Sequence, residues 1–225
     1  MASEAATEHS EVNSAQELDT GKQALLRLLA TLDRGSAASA TDRSAVDDAV
    51  AAIEQKGSKN RGEASSLADR LAGKWRLAYS STFAGVSGGS QGFTGPPGAG
   101  TPLRLGAVYQ RIQPFNKRRL DNIVELRVPG LLPFSGSIPV TACLSHSLEF
   151  IGPDTVRIEF LDVTFRVQGV RGLRPITLPS PVQALGLQAI LPLQLRGGEF
   201  TTTYCVADFR VSRGDRGELR IFTRA

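Results

Sequence analysis

Apolar positions follow a helical period up to Leu71 and then switch to a two-residue alternation, so the chain is predicted to pass from helices to strands. Leu18, Leu25, Leu29 and Leu32 fall on one helical face behind Ser14-Ala15-Gln16-Glu17, which has the spacing of a capping box. The polar residues 1–13 before it are expected to form a disordered tail. After a small-residue loop from Gly35 to Ala40, Val46, Ala49, Val50 and Ile53 mark a second helix that stops at Gly57, and Leu67 and Leu71 mark a third short turn. These stripes are expected to pack on the strands, giving a helical segment 14–72 ahead of a β domain 73–225.

Strands are expected at about Lys74–Thr82, Leu105–Ile112, Arg119–Val128, Val140–Phe150, Thr155–Val167, Phe200–Val211 and Glu218–Thr223. Within the fourth, Val140, Ala142, Leu144, Leu148 and Phe150 alternate with polar residues, and His146 is the exception on the apolar face. Sequential strands joined mostly by short turns favour an antiparallel up-and-down sheet that removes its edges by closing. The predicted fold is mainly β: a lipocalin-like antiparallel β-barrel preceded by two or three α-helices. A barrel of about eight strands either fills itself with side chains or holds one small apolar ligand, and the alternation does not choose between them.

Two segments carry a resemblance. Phe200 to Arg213 reads FTTTYCVADFRVSR, then Gly214-Asp215-Arg216-Gly217 turns the chain into a closing ELRIFTR. The pattern T-T-Y-x-x-x-D-x-R-x-x-R-G-D, Thr202 to Asp215, resembles the C-terminal signature of the plastid lipid-associated proteins, also called plastid fibrillins or plastoglobulins. Leu71 to Ser81 is similar to that family's L-x-G-x-W-x-L-x-Y-[ST]-[ST], and Leu28-Leu29 with Asp33-Arg34-Gly35 is similar to its helical opening. One departure stands out: where the family carries T-T-Y-L-D-E-D-L-R-I, this chain keeps a single carboxylate, Asp208. The G-x-W entry at Gly73-Lys74-Trp75 is also shared with lipocalins, where the tryptophan closes the barrel end against an arginine of the last strand; Arg224, or failing that Arg220, would be the equivalent.

Charge adds an asymmetry. The net charge is +4, but residues 1–70 carry 8 Lys/Arg against 12 Asp/Glu while residues 71–225 carry 18 against 10, so the β part is the basic one. An anionic membrane surface or an acidic partner fits such a field. Nucleic acid is attracted by the same field but is the weakest choice, because only Lys117-Arg118-Arg119 is contiguous and no recognised module accompanies it. Cys143 and Cys205 are too few for a disulfide scaffold and read as small buried hydrophobes. No apolar signal segment opens the chain, and its first twenty residues are too acidic for a transit peptide.

Catalytic and metal motifs are weak. Gly85-Val86-Ser87-Gly88-Gly89 matches G-x-S-x-G, but it sits in a Gly/Ser/Pro-rich run, Ala84 to Gly100, with no helix after it, and is expected to be a flexible loop. His146 is the sole histidine beyond the tail and reads as a buried, hydrogen-bonded one. Ligand spacing for a metal is absent, and no cofactor is expected. Residues 175–195 carry no charge, yet Pro179, Pro181 and Pro192 argue against a spanning helix. A loop and short helix covering the barrel is one reading; shallow insertion into lipid is the other, with Leu185, Leu187 and Ile190 entering and Arg171, Arg174 and Arg196 meeting anionic headgroups.

The resemblance implies a non-catalytic binding or structural protein of plastid lipid bodies (plastoglobules) and thylakoid membranes. Its implied cargo is an apolar isoprenoid or acyl molecule such as a prenylquinone, carotenoid or fatty acid. The alternative is a docking protein for an enzyme of plastid isoprenoid or prenylquinone synthesis. Trp75, Tyr79, Tyr109, Phe165, Tyr204, Asp208 and Arg210 are the candidate ligand contacts.

Overall fold

The computed structural model describes the backbone of residues 2–57, 66–83, 93–94, 102–113, 118–129, 137–168, 176–179 and 197–225. Helix α1 spans Ala2–Ala30 and α2 spans Ala40–Gly57. The first helix thus takes in residues 2–13, which carry no Gly or Pro and are rich in Ala and Glu, and Ser14 lies inside it rather than at its cap. Leu18, Leu25, Leu29 and Leu32 of the first stripe and Val46, Val50 and Ile53 of the second are all buried. Helix α3 is a single turn, Leu67–Leu71, capped by Ser66, whose hydroxyl accepts from the Asp69 backbone N–H at 3.2 Å.

The strands are β1 (Gly73–Ser80), β2 (Phe93–Thr94), β3 (Pro102–Ile112), β4 (Arg119–Pro129), β5 (Ser137–Phe150), β6 (Thr155–Val167), β7 (Ile176–Pro179), β8 (Gly197–Cys205), β9 (Phe209–Gly214) and β10 (Leu219–Arg224). Eight of them pair in the order β1-β10-β9-β8-β6-β5-β4-β3, and β3 pairs with β1 again, so the antiparallel ladder closes into a ring of hydrogen bonds. β2 and β7 are short additions to β3 and β6. The β7 strand pairs with residues 162–165 of β6, so the uncharged stretch begins as a strand and not as the expected loop or helix.

The single strand expected over Phe200–Val211 is two. Val206-Ala207-Asp208 turns the chain, with the Val206 N–H donating to the Phe209 carbonyl at 2.9 Å. No Gly or Pro announces that turn, which is why the β-rich run hides it. At the next hairpin Gly217 adopts φ 78°.

Helices α1 and α2 cover the outer face of β1, β10 and β9. Phe209 and Val211 of β9, Leu219 and Ile221 of β10 and Tyr79 of β1 form one apolar cluster with the two helical stripes. Ion pairs fix the seat: Lys22 reaches Asp208 at 3.0 Å, and Arg213 grips Glu54 through two contacts at 3.1 and 3.0 Å. The link between helices and ring is Asp33-Arg34-Gly35, three successive residues at φ 41°, 58° and 103°. From that left-handed turn the Arg34 carbonyl accepts from the Ser80 N–H at 2.9 Å.

Candidate functional site

The ring interior is built in layers by the alternation along each strand. At the α3 end, Ile112, Leu120, Leu148, Val156, Ile158 and Phe200 pack under Leu67 and Leu71, so the short helix plugs the ring. Arg70 of the plug pairs with Asp154 at 3.0 Å. A second apolar layer, including Val108, Val124, Leu126, Ala142, Leu144 and Val163, fills the other side. Phe83, Leu105, Val140 and Phe165 extend it toward the far strand ends and are only half-buried.

Between the two layers lie polar side chains. Gln110 interrupts the apolar set Val108, Ile112 on β3, and Asn122 interrupts Leu120, Val124 on β4; the two are register partners, with Gln110 Nε2 donating to Asn122 Oδ1 at 3.3 Å. His146 on β5 is fully buried, its Nδ1 3.0 Å from the Leu144 carbonyl, which makes that nitrogen the donor, and its ring meets Phe160 edge-on at 5.6 Å. From the opposite wall Arg210 of β9 crosses the interior and donates through Nη2 to Gln110 Oε1. Its guanidinium lies 4.1 Å from the Phe222 ring and 5.0 Å from that of Trp75.

Arg210 is fully buried, and burial pushes its pKa down to about 9, so it remains a cation at neutral pH. Its Nε and Nη1 have no hydrogen-bond partner among the described residues. The neighbouring inward arginine, Arg220, differs: burial also lowers its pKa, but Glu218 lies 2.7 Å away and balances it. Cys205, the register partner of Arg210, has its thiol pKa raised by burial and stays neutral.

Trp75 is completely buried, donates from Nε1 to the Leu71 carbonyl at 2.9 Å, and receives the Arg224 guanidinium at 4.3 Å. Its register partner is Arg224, and Arg224 in turn donates to the Ala72 carbonyl at 2.6 Å. Gly73, at φ 114°, lies against this latch: a Cβ there would stand 2.6 Å from Arg224 Nη1. The first and last strands are therefore joined at the plugged end by a tryptophan and an arginine.

Of the seven candidate contacts, the ring brings together Trp75, Phe165 and Arg210 on its inner face. Tyr79 and Tyr204 sit under the helices instead. In each case a β-bulge just before the tyrosine, between Leu77 and Tyr79 and between Thr202 and Tyr204, shifts the alternation by one residue and turns the ring outward. Tyr109 is on the outer face below the Lys74 ammonium, which lies 3.9 Å from its ring, and Asp208 is in the exposed turn with Lys22. Gln110, Asn122 and Phe222 were not among the candidates. A polar residue breaking an apolar alternation, as in Val108-x-Gln110-x-Ile112, is the signal that marks them.

Arg171, Arg174, Leu185, Leu187, Ile190, Arg196 and Ser87 lie outside the described residues. Among the described residues, no three His, Cys, Asp or Glu side chains group as a metal site, and no helix is long and apolar enough to cross a membrane. A cleft of about 280 Å³ between the end of α1 and β1, lined by Leu26, Leu29, Ala30, Arg34 and Arg76, is on the outside of the ring. On the outer face of β4, Asp121 is buried under Arg111 at 2.7 Å and Arg119 at 3.0 Å. Burial raises its pKa, but the two guanidiniums outweigh this and hold it below the usual carboxylate range.

A model of the PAP_fibrillin family matches residues 19–223, which takes in the second part of α1, all of α2, the plug and every strand up to the penultimate residue of β10. The chain is also similar to Plastid-lipid-associated protein 6, chloroplastic, of Arabidopsis thaliana, at 34% identity over 206 residues, 91% of this chain and 69% of the relative. A match over nearly the whole length shows that this chain belongs to the PAP/fibrillin family.

Proposed function

We propose that this chain is a non-catalytic lipid-associated protein of the plastid whose strand ring serves as a lipocalin-like barrel and holds an apolar isoprenoid or acyl molecule. The observation that carries the reading is the difference between the two ends. At the plug the inward apolar side chains are buried, whereas Phe83, Leu105, Val140 and Phe165 at the other end keep apolar surface uncovered by the described residues. The chloroplastic relative supports the plastid, and its name supports lipid as the partner. Location at the plastoglobule or thylakoid surface is the finer part of the same proposal.

Trp75, in the interior layer, is the sole tryptophan and therefore an intrinsic reporter. Titration with a prenylquinone, a carotenoid and a fatty acid is expected to give saturable quenching for at least one of them. Quenching that stays linear for all three would remove the carrier reading and leave the docking alternative.

Residues 175–195 supply the surface contact in this proposal, because they carry no charge and are flanked by Arg171, Arg174 and Arg196. Near an anionic surface each arginine adds about 1 kcal/mol, screened by salt. Replacing Leu185, Leu187 and Ile190 together with Asp is expected to stop flotation with anionic liposomes. A folded triple variant that floats as the parent does would place the membrane contact elsewhere.

A further inference from the structure

Arg210 poses a problem in electrostatics. A charge taken out of water costs several kcal/mol unless an opposite charge and hydrogen bonds offset it. No carboxylate among the described residues makes an ion pair with Arg210: Glu218 is engaged by Arg220 at 2.7 Å, and Asp208, two positions away in sequence, faces outward to Lys22 at 3.0 Å. The rings of Phe222 and Trp75 offset part of the cost, but a π face satisfies no N–H in a defined direction. Nor is Arg210 needed to latch Trp75, since Arg224 already occupies that role from the register position opposite it. What remains is a fixed cation with the hydrogen of Nε and both hydrogens of Nη1 unspent among the described residues.

The surroundings hold it in place. Asn122 Oδ1 accepts from Gln110 Nε2 at 3.3 Å, which orients the Gln110 amide so that its oxygen receives Arg210 Nη2. Buried apolar side chains lie above this point and the α3 plug below it, so a long apolar molecule that parts that layer from the half-buried end would bring its tip to the guanidinium.

We propose that Arg210, braced by Gln110 and Asn122, is the head-group site of the ring interior and selects long-chain amphiphiles that end in a carboxylate over neutral molecules of the same chain length. The inference rests on the carrier reading above and narrows its ligand class. Charge counting favours a carboxylate over a diphosphate: among the described residues Arg210 is the fully buried arginine with no ion pair, Arg220 being neutralised by Glu218 and Arg224 lying exposed at the plugged end. A carboxylate also accepts several N–H donors at once, as the free edge of a guanidinium requires.

The test compares palmitic acid with methyl palmitate, which differ only at the head, on the full chain stripped of bound lipid, with Trp75 emission as the readout. Hydrogen bonds to charged groups contribute about 1.5–3 kcal/mol, so the acid is expected to bind about tenfold or more tighter than the ester. Arg210→Met is expected to lose the preference for the acid over the ester, and to stay folded, since an apolar side chain replaces a buried charge that has no ion-pair partner among the described residues. Equal binding of acid and ester by the parent chain, or a preference that survives Arg210→Met, would overturn the head-group assignment while leaving the carrier reading intact. If Arg210→Met does not fold, the acid and ester comparison on the parent decides alone. If neither probe binds saturably, the head-group assignment falls, and the carrier reading stands or falls on the prenylquinone and carotenoid titrations.

Discussion

Trp75→Ala is expected to melt on the order of 10 °C below the parent chain, the product of about 3–5 kcal/mol lost and a shift of about 2–4 °C per kcal/mol for a fold of this size. The side chain is completely buried. Truncation removes its packing against the interior layer, its hydrogen bond to Leu71 and the ring that Arg224 rests on. It therefore weakens the plug and the closure between β1 and β10 at once. Trp75→Phe separates these losses: it keeps most of the apolar volume and forfeits the indole donor, so its midpoint should fall between the two. Thermal melts followed by circular dichroism measure both, and an unchanged midpoint for Trp75→Ala would contradict the latch.

The second large effect is expected at Gly35. An alanine there would keep φ at 103° only under strain, and its Cβ would stand 2.5 Å from the Ser80 carbonyl oxygen and 3.1 Å from the Tyr79 ring. Neither neighbour is free to yield, because Ser80 is held by the Arg34 carbonyl and Tyr79 is buried beneath the helices. A cost of about 2–4 kcal/mol follows from backbone strain and overpacking together. Gly217→Ala is the matched control: it too sits at positive φ, 78°, but nothing lies within 4 Å of the added carbon, so about 1 kcal/mol of strain is all it should lose. Denaturant titration distinguishes them. In hydrogen exchange Gly35→Ala should also release α1 and α2 ahead of the strands, and a Gly35 variant as stable as the Gly217 variant would show that the turn does not hold the helices.

How far the sequence reached depends on which regularity each residue obeys. The stripes Leu25, Leu29, Leu32 and Val46, Val50, Ile53 were legible because each helix buries one face, and period 3.6 survives over several turns. Trp75 and Arg224 were legible as partners through the G-x-W entry and the closing strand. The two tyrosines misled because a bulge adds a residue without leaving a mark in the sequence: Tyr79 and Tyr204 keep the alternation on paper and lose it in space. β9 alternates in sequence, Phe209 and Val211 against Arg210 and Ser212, yet all four are buried, the first and third under the helices and Arg210 toward the interior. In a strand covered on both sides the polar positions do not mark the solvent face, so Arg210 and Ser212 gave no sign that they point inward.

Helices α1 and α2 are synthesised long before the surface they cover. Lys22 and Asp208 are 186 residues apart, and Glu54 and Arg213 are 159 apart. Until β9 and β10 emerge, the apolar stripes of both helices have no sheet to rest on, and β1 lacks its neighbour on the β10 side. Contacts of such long sequence separation are made slowly, after most of the loop-closure entropy has been surrendered. The nascent chain thus displays two sticky helices and an open strand edge for most of its synthesis, and its yield in a cell will be set by what shields those surfaces in the interval more than by the stability of the finished ring.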